Sequence, residues 1–181
     1  MKKLLPASAA LLAFILPASL QAALPQGARA PQILTQGALD GKPFTFDLRA
    51  ALRRGPVVLY FYPKAFTQGC TLEAHAFAEA ADDFAAAGAS VVGMSNDDLP
   101  TLQRFSTEAC RSKFPVAIAS PATIGAYDVA LKRDGLPAGL SDRTSYVIAP
   151  GGRIRMVHSN LDYRDHVRLT LAAVRALRAR R

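Results

Sequence analysis

The run Val57–Glu73, with the sequence VVLYFYPKAFTQGCTLE, constrains the fold more than any other part of the chain. Its first six residues, Val57–Tyr62, are β-branched, aromatic or leucine and lie between prolines, which predicts a strand buried on both faces. From Thr71 the pattern becomes rich in Ala, Glu and Leu at helical spacing. Cys70 is therefore predicted in the first turn of a helix, where its sulfur faces unpaired backbone N–H groups and the positive end of the dipole.

A cysteine at a helix start becomes a strong nucleophile only as a thiolate, and a free thiol is mostly protonated at neutral pH. Shifting that balance about a hundredfold toward the thiolate requires roughly 2.7 kcal/mol. A helix N-terminus supplies only about 0.3–1 kcal/mol. We therefore expect a cation near Cys70, contributed by a distant part of the sequence.

The first 22 residues have the pattern of a secretory signal peptide. Lys2 and Lys3 precede an apolar run, Leu4–Leu20, and small residues follow at Ala22 and Ala23. Prolines interrupt the apolar run and no stop-transfer charges follow it, which disfavours a membrane span. We predict cleavage after Ala22, export to a periplasm of the Gram-negative type, and no stable membrane insertion after cleavage.

The remaining chain, residues 23–181, has the length of one domain with a normal core. Removing residues 1–22 leaves 159 residues and a formal charge of +8 − 2 = +6. The basic residues crowd the C-terminal end, where apolar residues at helical spacing predict a terminal helix. Its arginines would face solvent and complement the helix dipole, so we predict no nucleic-acid binding. The three histidines have no metal-ligand spacing, and we predict neither a metal nor a cofactor.

The pattern along the chain predicts a mixed α/β architecture. The order of elements is a hairpin, a strand, a helix, a strand, a helix, a second hairpin and a last helix. Parallel βαβ units followed by an antiparallel hairpin and a helix describe a thioredoxin-like fold, a central mixed sheet flanked by helices, here with an N-terminal hairpin extension. The first hairpin is predicted to consist of Gln32–Thr35 and Phe44–Phe46, separated by Asp40-Gly41-Lys42. The other predicted bounds are helices at Cys70–Ala87 and Leu99–Ser112, a strand at Ser90–Ser95, a hairpin from Thr144 to His158 and a helix from about Tyr163. The Cys70 helix is predicted to face inward through Leu72, Ala76, Ala80 and Phe84.

The only two cysteines, Cys70 and Cys110, allow one disulfide in an exported protein. A disulfide would close the loop between these two cysteines, and by restricting the unfolded chain it could stabilise the fold by roughly 4 kcal/mol. A purely structural bridge, however, gives no reason for a cysteine at a helix start after a Pro/Thr/Gly loop.

Two motifs carry a resemblance to a known family. The pattern Pro-x-x-x-Thr-x-x-Cys occurs as Pro63, Thr67 and Cys70, followed by Thr71 and Glu73. The pattern Arg-x-Ser-aromatic-Val-Ile occurs at residues 143–148. On these residues the sequence resembles the peroxiredoxins of the AhpC/TSA superfamily, and most of all their bacterioferritin-comigratory or Q-type branch, over roughly residues 30–177.

The resemblance implies a thiol-dependent peroxidase of antioxidant defence and redox homeostasis. Cys70 would be the peroxidatic cysteine, which reduces hydrogen peroxide or a small organic hydroperoxide and becomes a sulfenic acid. Arg143 would be the missing cation, Thr67 would help to orient the peroxide, and Pro63 would shield the sulfur from water. Glu73 would position Arg143 or a neighbouring arginine. The partner implied is an external thiol reductant, either thioredoxin-like or a small thiol.

The sequence departs from the family pattern around the second cysteine. Gln68 stands where a proline is usual, and His75 and Ser106 occupy the positions where related proteins carry a resolving cysteine. Cys110, one helical turn after Ser106, is the only candidate for an intramolecular resolving cysteine. A bridge to Cys70 needs local unwinding, and otherwise the protein is a one-Cys enzyme. The terminal helix is not followed by a cysteine-bearing tail of the kind that typical decameric peroxiredoxins use, so the resemblance implies a monomer or dimer.

Other interpretations stay open at this point. Thr67 could cap the Cys70 helix, and Arg143 could be a solvated charge at a strand end. The chain could be an exported thioredoxin-like thiol–disulfide oxidoreductase, although it lacks a Cys-x-x-Cys pair. It could also be a non-catalytic binding module on the same fold.

Overall fold

A computed structural model describes residues 23–133 and 135–179. The predicted signal peptide, residues 1–22, lies outside the described residues. Within the described ranges, no helix combines the length and the apolar character needed to cross a membrane.

The N-terminal hairpin consists of β1, Leu34–Leu39, and β2, Lys42–Asp47. Its two turn residues, Asp40 and Gly41, have φ angles of 51° and 72°, which is the left-handed geometry that a tight two-residue hairpin needs. The predicted hairpin is confirmed, but its first strand, predicted at Gln32–Thr35, lies at Leu34–Leu39, because pairing with β2 continues up to the turn. Helix α1, Leu48–Arg54, follows at once because the Asp47 carboxylate accepts hydrogen bonds from the first N–H groups of the helix, at 2.8 and 3.2 Å.

Three parallel strands form the middle of the sheet. They are β3, Val57–Phe61, β4, Ser90–Ser95, and β5, Val116–Ile118. The connections contain α2, Gln68–Glu79, α3, Ala81–Ala86, and α4, Leu99–Glu108, while α5, Pro121–Ala126, follows β5. All five residues of β3 are fully buried, as the unbroken apolar run predicts.

The C-terminal hairpin completes the sheet. Strands β6, Thr144–Ile148, and β7, Ile154–Ser159, are antiparallel, and a 3₁₀ turn at Tyr163–Asp165 leads into α6, His166–Arg178. The seven strands lie in the order β2-β1-β5-β4-β3-β6-β7. Helices cover both faces of this mixed sheet, so the predicted thioredoxin-like fold with an N-terminal hairpin extension is confirmed.

The helix predicted from Cys70 to Ala87 is wrong in two respects. It breaks at Ala80, which separates α2 from α3. Leu72, predicted to face inward, is 41% exposed, whereas Glu73 and Phe77 are buried. The inward face of α2 consists of Cys70 and the residues three and seven positions after it, because these side chains pack on the aromatic residues of β3.

The helix predicted to run to Ser112 ends earlier, at Glu108. Arg111 and Ser112 have φ angles of 50° and 58°, and two successive left-handed residues cannot continue a right-handed helix. Cys110 therefore lies in the turn after α4 rather than on the helix.

Side chains of β3 alternate between two cores on opposite faces of the sheet. Tyr60 and Tyr62 pack on the face covered by α2, α3, α4 and α6, while Leu59 and Phe61 pack on the other face. The loop that follows β3 carries the chain from the sheet to Cys70. Strand β3 and this loop therefore place Cys70 at the edge of the packed core.

Candidate active site

Cys70 is the third residue of α2 and is almost fully buried, with 1% of its surface exposed. The first helical hydrogen bond in this turn runs from the Thr71 N–H to the Thr67 carbonyl, at 2.9 Å. The N–H groups of residues 68–70 belong to the helix start, where they have no helical acceptor. A negative charge on the sulfur would be stabilised by these groups.

Arg143 is the cation beside Cys70. The antiparallel register pairs Phe61 with Thr144, so Arg143 lies at the end of β3 from which the loop to Cys70 departs. Its Nη2 donates a hydrogen bond to Cys70 Sγ at 3.5 Å, and the side chain is 5% exposed. A buried guanidinium at this distance can stabilise a thiolate.

Two further contacts fix the guanidinium group. Arg143 Nη1 donates to Glu73 Oε2, and Arg143 Nε donates to the Leu161 carbonyl at 2.8 Å. Burial alone would lower the pKa of Arg143, but the nearby Glu73 and Cys70 outweigh it and raise the pKa above its usual value. The guanidinium therefore stays charged.

Glu73 is completely buried one turn after Cys70. Burial raises its pKa from 4.5 to about 8, although the charge and hydrogen bond of Arg143 oppose this rise. Its second oxygen, Oε1, has no hydrogen-bond partner. Glu73 thus holds Arg143 with one oxygen and leaves the other free.

Gly69 allows the guanidinium to come this close to the helix start. A Cβ atom at this position would lie 3.2 Å from Arg143 Nη2, closer than ordinary packing allows. The glycine in the sequence Gln-Gly-Cys therefore has a specific steric role.

Thr67 is the N-cap residue of α2, but its side chain makes no hydrogen bond to the helix. Its hydroxyl donates to the Lys64 carbonyl at 2.9 Å, and the residue is exposed. No hydrogen bond therefore supports the interpretation that the Thr67 side chain caps the helix. Pro63, at the start of the same loop, is half-buried.

Gln68 is the first residue of α2. At this position a proline's missing N–H costs nothing, because the N–H has no helical partner. Either glutamine or proline can therefore be the first residue of this helix.

The loop before Cys70 has a tether that the sequence did not reveal. Asp97 Oδ2 accepts hydrogen bonds from the Ala65 N–H and from Ser95 Oγ, both at 2.8 Å. Phe66 adopts a φ of 63° and packs its ring against Phe105, with centroids 5.2 Å apart. No local sequence pattern links Asp97 to residue 65.

Cys110 is also a free thiol, and it is fully buried. Burial raises its pKa well above the usual value of a cysteine. The turn that carries Cys110 is held to the N-terminal hairpin by Ser112 Oγ, which donates to Asp40 Oδ1 at 2.6 Å.

A buried histidine, His166, completes the site, although no sequence pattern indicated a role for it. His166 Nδ1 lies 2.8 Å from Ser145 Oγ and 3.7 Å from Glu73 Oε1, and its Nε2 lies 2.9 Å from the Asn160 carbonyl. Burial lowers its pKa to about 4. Sequence patterns could not reveal its contact with Glu73, because the two residues are far apart in the chain.

The rings of His158, on β7, and His166, at the start of α6, meet with centroids 4.5 Å apart. Among the described residues, no three His, Cys, Asp or Glu side chains are placed to share a metal ion.

The arrangement around Cys70 suits nucleophilic attack by a thiolate on a small electrophile that enters beside Arg143.

The family model described as the AhpC/TSA family matches residues 27–157 of the chain. The chloroplastic peroxiredoxin Q of Populus jackii is 31% identical over 154 residues, which cover 82% of this chain and 68% of the relative.

Solved structures show the same likeness. The peroxidoxin BcpB of Mycobacterium tuberculosis superimposes with a TM-score of 0.74 at 30% identity, covering 84% of this chain and 97% of that one. The bacterioferritin comigratory protein of Xanthomonas campestris, whose structure was described for its alkyl peroxide reduction activity, gives a TM-score of 0.68 at 27% identity and covers 79% and 91% of the two chains.

Proposed function

From the premise that the chain belongs to the AhpC/TSA family of peroxiredoxins, we propose that Cys70 is the residue that attacks the peroxide. The protein is a thiol-dependent peroxidase, close to the Q-type and bacterioferritin-comigratory homologues. The observation that carries the assignment to Cys70 is the contact of Arg143 Nη2 with its sulfur at 3.5 Å.

In the proposed reaction the Cys70 thiolate attacks one oxygen of the peroxide. The O–O bond breaks as an S–O bond forms, which leaves a sulfenic acid on Cys70 and an alcohol or water once the departing oxygen takes a proton. Arg143 stabilises the thiolate and the charge that develops on the departing oxygen. Thr67 and the N–H groups at the start of α2 are proposed to orient the two oxygens, and Pro63 to exclude water.

A small organic hydroperoxide is the substrate class we favour beside hydrogen peroxide. Support comes from the likeness to the Xanthomonas campestris protein described for alkyl peroxide reduction. It also comes from two exposed apolar side chains next to the site. Phe66 lies in the loop before Cys70, and Leu161 supplies the carbonyl that holds Arg143.

For the second half of the cycle we propose reduction by an external thiol. One thiol displaces water from the sulfenic acid and forms a mixed disulfide, and a second thiol releases the Cys70 thiol. Support comes from the complete burial of Cys110 and from its raised pKa, which disfavours its thiolate. Resolution by Cys110 stays the competing route, and it requires the turn after α4 to unwind from Asp40.

The proposal is tested with purified Cys70→Ser and Cys110→Ser variants in a peroxide consumption assay with a dithiol donor. We expect Cys70→Ser to lose consumption and Cys110→Ser to keep at least half of it. An unchanged rate in Cys70→Ser would overturn the assignment. Loss of turnover in Cys110→Ser, with a Cys70–Cys110 disulfide in the oxidised wild type, would overturn the external-thiol route.

We also propose that the protein is exported through residues 1–22. The basic, apolar and small-residue regions of this segment support the proposal. Expression in a Gram-negative host, followed by N-terminal sequencing of the periplasmic fraction, tests it. A product that begins near Ala23 is expected, and an intact N-terminus confined to the cytoplasm would contradict export.

A further inference from the structure

We propose that His166 is a positioning residue that holds Arg143 in the orientation facing Cys70. The inference rests on the proposed role of Cys70. It is drawn from two separate sets of contacts, one through the backbone that follows β7 and one through Glu73.

The first route passes through residues 160 and 161. His166 Nε2 lies 2.9 Å from the Asn160 carbonyl. The N–H of Asn160 donates to the Arg143 carbonyl at 3.0 Å, and the Leu161 carbonyl accepts from Arg143 Nε at 2.8 Å. The short segment that binds both the backbone and the side chain of Arg143 is therefore fixed in turn by the imidazole.

The second route passes through Glu73. Its Oε2 binds Arg143, whereas its Oε1 is buried without a hydrogen-bond partner and lies 3.7 Å from His166 Nδ1. The side chains of Glu73 and His166 are both fully buried, so the imidazole closes the space into which the carboxyl group could otherwise rotate. A carboxyl group held in this way keeps its other oxygen on Arg143.

The hydrogen bonds indicate which ring nitrogen carries the proton. A carbonyl can only accept, so Nε2 of His166 donates to Asn160, and Nδ1 accepts from the Ser145 hydroxyl at 2.8 Å. The imidazole is then neutral, in keeping with its lowered pKa. The groups that face it are Glu73 on α2, Ser145 on β6, His158 on β7, and Arg143 and Asp162 in the loops beside these strands.

A matched pair of substitutions tests the backbone route. His166→Gln keeps a side-chain donor for the Asn160 carbonyl, whereas His166→Met has a similar volume and no donor. We expect His166→Met to slow the oxidation of Cys70 by one equivalent of peroxide about tenfold, which is the size of effect given by one lost buried hydrogen bond. His166→Gln should stay within about threefold of the wild type on the same scale.

A double-variant cycle separates positioning from general stability. If His166 acts through Arg143, His166→Met should change the oxidation rate less than about twofold in an Arg143→Gln background. Val174→Ala, two turns further along α6, is the control for a general loss of packing, because Val174 is completely buried on the same helix. It should leave the oxidation rate unchanged. An equal loss from His166→Met in both backgrounds would overturn the inference.

A second variant keeps the test decisive if His166→Met does not fold. Ser145→Ala removes the hydroxyl that donates to Nδ1 and leaves Arg143 unaltered. It should slow oxidation several-fold in the wild-type background and not in Arg143→Gln, and equal effects in both would contradict the inference. Failure of the proposed function is distinct, because Cys70→Ser would then still consume peroxide whatever His166 does.

Discussion

Arg143 reaches Cys70 from 73 residues further along the chain and places its Nη2 3.5 Å from the sulfur. Each of its three nitrogens has a different partner, because Nη1 binds Glu73 and Nε binds the Leu161 carbonyl. The cation is therefore fixed before any peroxide arrives. A preorganised charge of this kind lowers a barrier without the cost of reorientation during the reaction.

Replacing Arg143 should impair the enzyme strongly. Arg143→Gln removes the charge beside Cys70, and a hydrogen bond to a charged group contributes about 1.5–3 kcal/mol, which corresponds to a rate loss of roughly 10- to 150-fold. Arg143→Lys should recover only part of the rate, because an ammonium group cannot contact all three partners at once. The measurement is the second-order rate of peroxide reduction.

Arg168→Gln is the control for this substitution, since Arg168 is an exposed arginine paired with Asp165. It should retain the wild-type rate. Full activity in Arg143→Gln would show that the cation has no part in the reaction.

Glu73 should make stability depend on pH in a predictable direction. Its pKa is raised from 4.5 to about 8 by burial, so the folded protein binds more protons than the unfolded chain between these values. The stability that this group contributes is present below about pH 4.5 and is lost as the pH rises through 8. Relative to wild type, Glu73→Gln should therefore gain free energy of unfolding from pH 5 to pH 8, measured by denaturant titration.

Glu79→Gln, an exposed carboxylate on the same helix, controls for the general effect of removing a charge. Its stability difference from wild type should hardly change over this range. A constant difference for Glu73→Gln would contradict the expected titration.

The close approach at Gly69 predicts a steric effect on activity. In Gly69→Ala the new methyl group would meet Arg143 Nη2 at 3.2 Å and displace it from the sulfur. We expect a clear loss of the peroxide rate with only a small change in melting temperature. Gly125→Ala is the matched control, because its Cβ would meet nothing within 4 Å, and it should leave the rate unchanged.

Asp97 should matter for activity although it does not touch Cys70. Asp97→Ala leaves the Ala65 N–H and the Ser95 hydroxyl without their acceptor, which costs about 1–3 kcal/mol for each buried group that stays unsatisfied. We expect a loosened loop and a slower peroxide rate. The neighbouring Asp98 caps α4 instead, so Asp98→Ala should lower the stability of the fold and spare the rate. A wild-type rate in Asp97→Ala together with a slower rate in Asp98→Ala would contradict the role of Asp97 in holding the loop.

The sequence was sufficient for features that depend on local pattern or on the family motif. The buried β3 run, the cysteine in the first helical turn and the hairpin at Asp40-Gly41 all follow from residue types and spacing. The helix break at Ala80 and the exposure of Leu72 did not follow, because packing against the aromatic face of β3, rather than spacing alone, decides which row of α2 faces inward.

Contacts made by folding explain what the sequence could not reveal about the site. His166, Asn160 and Leu161 lie in a loop and a helix start without a motif, and only the pairing of β6 with β7 brings them to Arg143. The position of Cys110 beyond α4 depended on two left-handed residues, Arg111 and Ser112, that are not glycines. No pattern rule marks such residues in advance.

The most direct test of the account is to identify the atom that peroxide oxidises. The wild-type protein is treated with one equivalent of peroxide in the presence of a dione that traps sulfenic acids, and the adduct is located by peptide mass spectrometry. We expect a nearly stoichiometric adduct on Cys70, much slower to form in Arg143→Gln. An adduct on Cys110 instead, or peroxide consumed while Cys70 remains a free thiol, would contradict the role of Cys70 as the residue that attacks the peroxide.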